Sequence, residues 1–69
     1  METFDLEFKS QIKLWKLQRK RDLFLTKREA KDLILIGMVS VNGITETRPG
    51  ARVSFGDEVE IEGQKIIIE

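Results

Sequence analysis

The apolar residues of this chain change period near residue 37, and that switch constrains the fold more than any other feature. Ahead of it, Ile12, Leu14, Trp15 and Leu17 supply the apolar face of one helix, and Ala30, Leu33 and Ile34 give an i, i+3, i+4 face to a second. Beyond Gly37 the apolar residues alternate with polar ones in short runs bounded by turn residues, the pattern of half-buried strands. A chain that runs helices first and strands after is an α+β chain, with an antiparallel sheet.

The turn and cap chemistry sets the expected boundaries. Ser10 can cap a first helix over residues 11–19, on which Lys9, Lys13, Lys16 and Lys20 fall in one stripe. Residues 22–25 then connect, with Leu23, Phe24 and Leu25 folding inward. Thr26-Lys27-Arg28-Glu29 fits a capping box, so the second helix is expected over residues 27–36, with Gly37 as its left-handed cap. Residues 38–41 run into Asn42-Gly43, the strongest short hairpin signal, because a type I′ turn needs positive φ at both positions. Residues 44–47 return, Arg48-Pro49-Gly50 breaks the chain, and residues 52–55 alternate up to a turn at Gly56-Asp57. Residues 58–62 alternate strictly with their acids on one face, Gly63-Gln64 turns, and residues 65–68 close the sheet.

Composition narrows the chemistry. At 69 residues the chain makes one domain, which buries only about 60% of its unfolded surface and commits its small core to stability rather than to a roomy active site. With no cysteine and no histidine, disulfides, thiolate or imidazole zinc sites, and His-activated nucleophiles are excluded, and neither metal nor cofactor is expected. No apolar leader follows Met1 and no apolar run is long enough to span a bilayer, so a soluble, cytoplasmic protein is expected.

The net charge of zero hides a segregation of sign. Residues 9–31 hold nine basic residues against Asp22 and Glu29, a local charge of plus seven that the acidic segment before and the strand half after cancel. One strongly positive side is the footprint of a nucleic-acid or anionic-surface binder, whereas a merely solvated helix face tends to mix signs in i,i+4 pairs. Lys27 and Arg28 are the informative anomaly. They sit in the first turn of the second helix, where the macrodipole disfavours cations by about 0.3–1 kcal/mol each. A docked phosphate would make them favourable together with the free N–H groups; alternatively, Glu29 offsets the cost and the side chains extend into water. Lys31 and the Arg19-Lys20-Arg21 triplet can line the same rim. Arg48 and Arg52, flanking the Pro-Gly turn, are either hairpin solubilisers or a second phosphate contact. Trp15 is read as core or half-buried cover, with base stacking as the alternative. Glu58, Glu60 and Glu62 are read as the wet side of their strand rather than a metal or acid-base cluster.

The runs Thr26-Lys27-Arg28-Glu29-Ala30-Lys31-Asp32-Leu33-Ile34, Gly37-Met38-Val39-Ser40-Val41-Asn42-Gly43 and Gly56-Asp57-Glu58-Val59-Glu60-Ile61 resemble the alpha-L RNA-binding motif, the domain named after small-subunit ribosomal protein S-four. The likeness spans residues 12–63, and within the family the chain is similar to the short stand-alone bacterial members. It implies two helices packed on a small, bent antiparallel sheet of about four to five short strands. The second helix and its preceding loop would grip structured RNA. Lys27 and Lys31 match the basic positions of the motif and Arg28 a variable one, while Pro49 and Ala51 interrupt the basic turn that stand-alone members carry near Arg48 and Arg52.

The expectation is therefore a single RNA-binding domain over residues 1–69, with an acidic segment (1–9), a helical part (10–36) and a β part (38–69). It is expected to be non-catalytic and monomeric, and to meet ribosomal or transfer RNA, or the ribosome itself, through Lys16, Arg19, Lys20, Arg21, Lys27, Arg28, Lys31, Arg48 and Arg52. The rivals are a protein-docking module of a ribosome-associated or regulatory assembly, and attachment to a membrane surface through the basic first helix.

Overall fold

In the computed structural model, which describes residues 2–7 and 9–69, two short strands precede two helices and five further strands follow them. The elements in chain order are β1 (Glu2–Phe4), β2 (Gln11–Lys13), α1 (Leu14–Arg21), α2 (Lys27–Leu35), β3 (Val39–Val41), β4 (Ile44–Thr45), β5 (Arg52–Ser54), β6 (Glu58–Ile61) and β7 (Gln64–Ile68). A five-stranded sheet runs in the order β1-β7-β6-β3-β4, and β2 pairs with β5 in a separate two-stranded sheet. This is the expected α+β fold.

The second helix forms where its local signals put it. The N–H of Glu29 donates to Thr26 Oγ1 at 3.1 Å, and the N–H of Thr26 donates to Glu29 Oε1 at 3.0 Å, closing both halves of the capping box. At the other end the N–H of Met38 reaches the Leu33 carbonyl and that of Gly37 the Ile34 carbonyl, the paired bonds of a Schellman motif. Gly37 supplies the φ of +86° that this motif needs. Ala30 and Ile34 are fully buried beneath the helix, against a core built from Leu14, Leu17, Val39, Val53, Val59, Ile66 and Ile68.

The first helix differs from expectation. Residues 11–13 are extended rather than helical, because they pair antiparallel with Ser54–Arg52 and so lay Ile12 over Val53, both buried. Lys13, not Ser10, is the N-cap; it caps with no side-chain bond, and the N–H of Leu14 goes to the Ala51 carbonyl at 2.9 Å. The expected Lys9-Lys13-Lys16-Lys20 helical stripe is thereby cut, with only Lys16 and Lys20 on the helix.

The sheet is mixed rather than purely antiparallel. β1 runs parallel to β7, with Glu2 opposite Ile66 and Phe4 opposite Ile68, so part of the acidic 1–9 segment is an edge strand. Met1 and Phe8 of that segment lie outside the described residues. The β3–β4 hairpin turns on Asn42 (φ 53°) and Gly43 (φ 83°), as expected for type I′, and its return strand ends at Thr45 rather than at residue 47. The last hairpin turns on Glu62-Gly63, one residue earlier than predicted, both with positive φ. Val59 and Ile61 face the core, while Glu58 and Glu60 lie on the opposite, wetter side, with Lys65 3.9 Å from Glu58.

The inter-helix connection also departs from the prediction. Leu25 packs against the core, but Leu23 and Phe24 point outward, 85% and 96% exposed. Asp22 organises the turn: its Oδ1 accepts the N–H of Phe24 at 3.0 Å and its carbonyl accepts that of Leu25. So short a connection turns only one of its three apolar side chains inward.

Candidate nucleic-acid interface

Trp15 lies in the first turn of α1 and is 8% exposed, so it is a core residue rather than a free stacking platform. Three ammonium groups converge on its ring. The Nζ of Lys27 is 4.6 Å from the ring centroid, that of Lys16 5.5 Å and that of Lys31 5.6 Å. Lys16 comes from α1, whereas Lys27 and Lys31 stand one turn apart on α2, so the packing of the two helices brings them together. Each ammonium gains from the negative face of the indole, but the three also repel one another.

The cations around this point differ in how far they are already engaged. Among the described residues the ion pairs are Arg21 with Glu2, Arg48 with Glu46, and Lys65 with Glu58, and none involves Lys16, Lys27 or Lys31. Arg21 donates from Nη2 to Glu2 and to Gln64, both at 2.8 Å, which turns it toward the edge of the sheet. Its guanidinium holds the Glu2 carboxyl below the usual carboxylate range. Arg48 folds back on Glu46 through its backbone N–H and its guanidinium, lowering the carboxyl and raising the guanidinium. Arg19 donates from Nε to the Leu25 carbonyl at 3.3 Å and so borders the inter-helix turn. Arg28 is exposed in the first turn of α2, where the capping box takes the N–H of Glu29 but the helix has no internal acceptor for those of Lys27 and Arg28.

Two shallow recesses extend the basic surface. One, of about 330 Å³, is lined by Trp15, Lys16, Arg19 and Lys20. The other, of about the same volume, is lined by Lys9, Ser10, Gln11, Ile12, Lys13, Lys16 and Arg52. Lys16 belongs to both, linking α1 to the β2–β5 pair. Arg52 therefore joins the basic tract, while Arg48 does not share its recess. Lys9 and Lys13 were absent from the predicted site. Their charge was visible in the sequence, but their place beside Arg52 follows from the β2–β5 pairing, which no local signal announced.

Among the described residues no three His, Cys, Asp or Glu side chains gather to hold a metal ion, and no helix is long and apolar enough to cross a membrane.

Fold and surface together define a small α+β module with a cationic face where two helices meet. The model for the S4 domain matches residues 4–69, and the chain belongs to that family, whose members are generally RNA-binding and typically non-catalytic. Among solved structures it is similar to the 30S ribosomal protein S4e from Thermoplasma acidophilum, at 29% identity and a TM-score of 0.69 over 83% of this chain. The match covers 30% of that ribosomal protein, so this chain corresponds to a minor part of its length. No curated protein sequence matches the chain.

Proposed function

We propose that residues 1–69 act as one non-catalytic RNA-binding domain, monomeric and cytoplasmic, that grips structured ribosomal or transfer RNA by its phosphate backbone. The observation that carries this reading is the convergence of Lys16, Lys27 and Lys31 on the Trp15 ring beside a helix N-terminus at which the N–H groups of Lys27 and Arg28 have no acceptor within the helix. A stability-driven surface would have separated like charges or interleaved acids among them; a polyanion laid across the two helices relieves their repulsion and meets the helix dipole favourably. Arg19, Lys20 and Arg28 extend the contact around the helix ends, and Arg52 extends it toward β5. Arg21 and Arg48, held by Glu2 and Glu46, add less.

Phosphates position a protein without naming a base, so discrimination between duplex sequences should be weak. Each phosphate neutralised releases counterions, giving a log–log salt slope of about −0.7 to −0.9 per contact. The test is Lys27→Glu combined with Lys31→Glu, titrated against a labelled structured RNA at moderate salt. Binding is expected to be lost with the fold retained, as read from the far-UV circular dichroism spectrum; Lys27 is exposed and Lys31 half-buried, and losing their contacts with Trp15 lowers Tm without unfolding the chain. Normal binding by the double variant would refute the site. Capture of a protein partner that survives nuclease treatment and the same charge reversal would favour a docking module instead.

A further inference from the structure

Among the described residues Phe24 is the most exposed large apolar side chain, and it stands in the connection between the two helices that carry the cations. Arg19 and Lys20 precede it by four and five residues, Lys27 and Arg28 follow by three and four, and three residues of chain span at most about 11 Å. The two acids nearest in sequence each accept a backbone N–H: Asp22 Oδ1 that of Phe24 itself, and Glu29 that of Thr26 in the capping box. The turn is anchored on either side of the ring, by Asp22 before it and by the Arg19 guanidinium on the Leu25 carbonyl after it. Phe55, also exposed, has one cation close in sequence, Arg52, and is followed by Asp57 and Glu58.

We infer that Phe24 is a stacking platform for an unpaired nucleobase, so that the preferred RNA carries a bulge or loop where the inter-helix turn lands. The inference rests on the RNA-binding reading above and adds a base contact to its phosphate contacts. One nucleotide offers both chemistries that the turn presents: a flat π face for the Phe24 ring and a tethered phosphate for Arg19, Lys20, Lys27 or Arg28. A membrane surface fits less well, since Leu23 and Phe24 together bury less apolar surface than a single acyl chain, which itself anchors only marginally.

The experiment compares two labelled hairpin RNAs of equal length, one fully paired and one with a short bulge, by anisotropy at fixed salt. The parent chain is expected to prefer the bulged RNA. Phe24→Ala should weaken the bulged complex by about 5- to 150-fold, the range for loss of one stacked base, and leave the paired complex essentially unchanged. Phe24→Tyr should retain the preference, whereas Phe24→Leu should behave as Phe24→Ala, because an aliphatic side chain has no face on which to stack. Since the side chain is in solvent, none of these variants should shift Tm. Equal losses on both RNAs, or recovery by Phe24→Leu, would overturn the inference while leaving phosphate binding intact. Flotation of the parent with phosphatidylserine vesicles, abolished by Phe24→Ala, would overturn it in favour of a lipid surface. A parent chain that binds neither hairpin would overturn the RNA reading and this inference with it.

Discussion

The Lys27 ammonium lies 4.6 Å from the centroid of the Trp15 ring, closer than either Lys16 or Lys31, so the first residue of α2 is seated on the first turn of α1. The contact joins the two helices and holds a cation at the point where α2 opens. Trp15→Phe keeps an aromatic face but a smaller one, and is expected to cost about 1–2 kcal/mol of stability through lost cation–π attraction and burial, read from urea unfolding. RNA affinity should fall modestly while the salt slope stays the same, because no phosphate-neutralising charge has been removed. A slope reduced by a whole contact would mean that the indole does more than hold its lysines.

Glu29 makes the start of α2 sensitive to acid. The Thr26 N–H, and then the Thr26 hydroxyl bond, lower its carboxyl from the ordinary value of 4.5. A depressed carboxylate stabilises the fold fully above the unfolded value and loses that contribution as pH falls through the folded one. The helix should therefore weaken below about pH 4.5. Glu29→Gln can keep the reciprocal bonds of the box but not the charge, so its Tm should drop less than the parent's between about pH 7 and pH 3. Glu2 and Glu46 have lowered carboxyls too and contribute in the same direction, but they are present in both chains, so the comparison isolates Glu29. Parallel Tm profiles would contradict the role given to the box.

Asn42 joins the β3–β4 hairpin to the turn before β6. Its Nδ2 donates to Asp57 Oδ1 at 3.1 Å, its Oδ1 accepts the N–H of Glu58 at 2.9 Å, and its φ is 53°. Asn42→Ala loses both bonds and forces a Cβ-bearing residue without a local polar partner into the left-handed region, for a cost of about 2 kcal/mol. Asn42→Gly loses the bonds but not the conformation, and should cost about half as much. If glycine proved as damaging as alanine in chemical denaturation, the strain contribution would be absent.

What could be read from the sequence was what the chain settles locally. The capping box, the Schellman cap at Gly37 and the Asn42-Gly43 turn each lie within a few consecutive residues, and the two helices and the strand half followed from them. β2 reads as helix in the sequence because its partner Val53 is some forty residues distant, so the pairing that makes Ile12 a strand residue has no local trace. The same is true of β1, whose parallel register on β7 joins residues more than sixty apart, and of Leu23 and Phe24, whose apolar character predicts burial that the Asp22 turn denies. At the site, charge segregation picked out the cationic region. Only the folded arrangement shows Arg21 and Arg48 engaged by carboxylates, and Lys9 and Lys13 gathered beside Arg52.

Gln18 is the least comfortable residue of the core. It is 2% exposed on α1, between Leu17 and the basic last turn, and neither its Oε1 nor its Nε2 finds a hydrogen-bond partner among the described residues. Leaving such a group unsatisfied costs about 1–3 kcal/mol, so an apolar side chain of similar length should be preferred there. Gln18→Met is expected to stabilise the chain by about 1 kcal/mol, which for a domain of this size raises Tm by about 4–8 °C. The amide lies beside a recess of about 300 Å³ lined also by Arg21, Leu25, Leu33, Ile61 and Gln64, away from the lysines around Trp15, so RNA affinity should be unchanged. A lower Tm for Gln18→Met would mean that the amide is satisfied in solution; a higher Tm with weakened RNA binding would mean that this recess belongs to the interface.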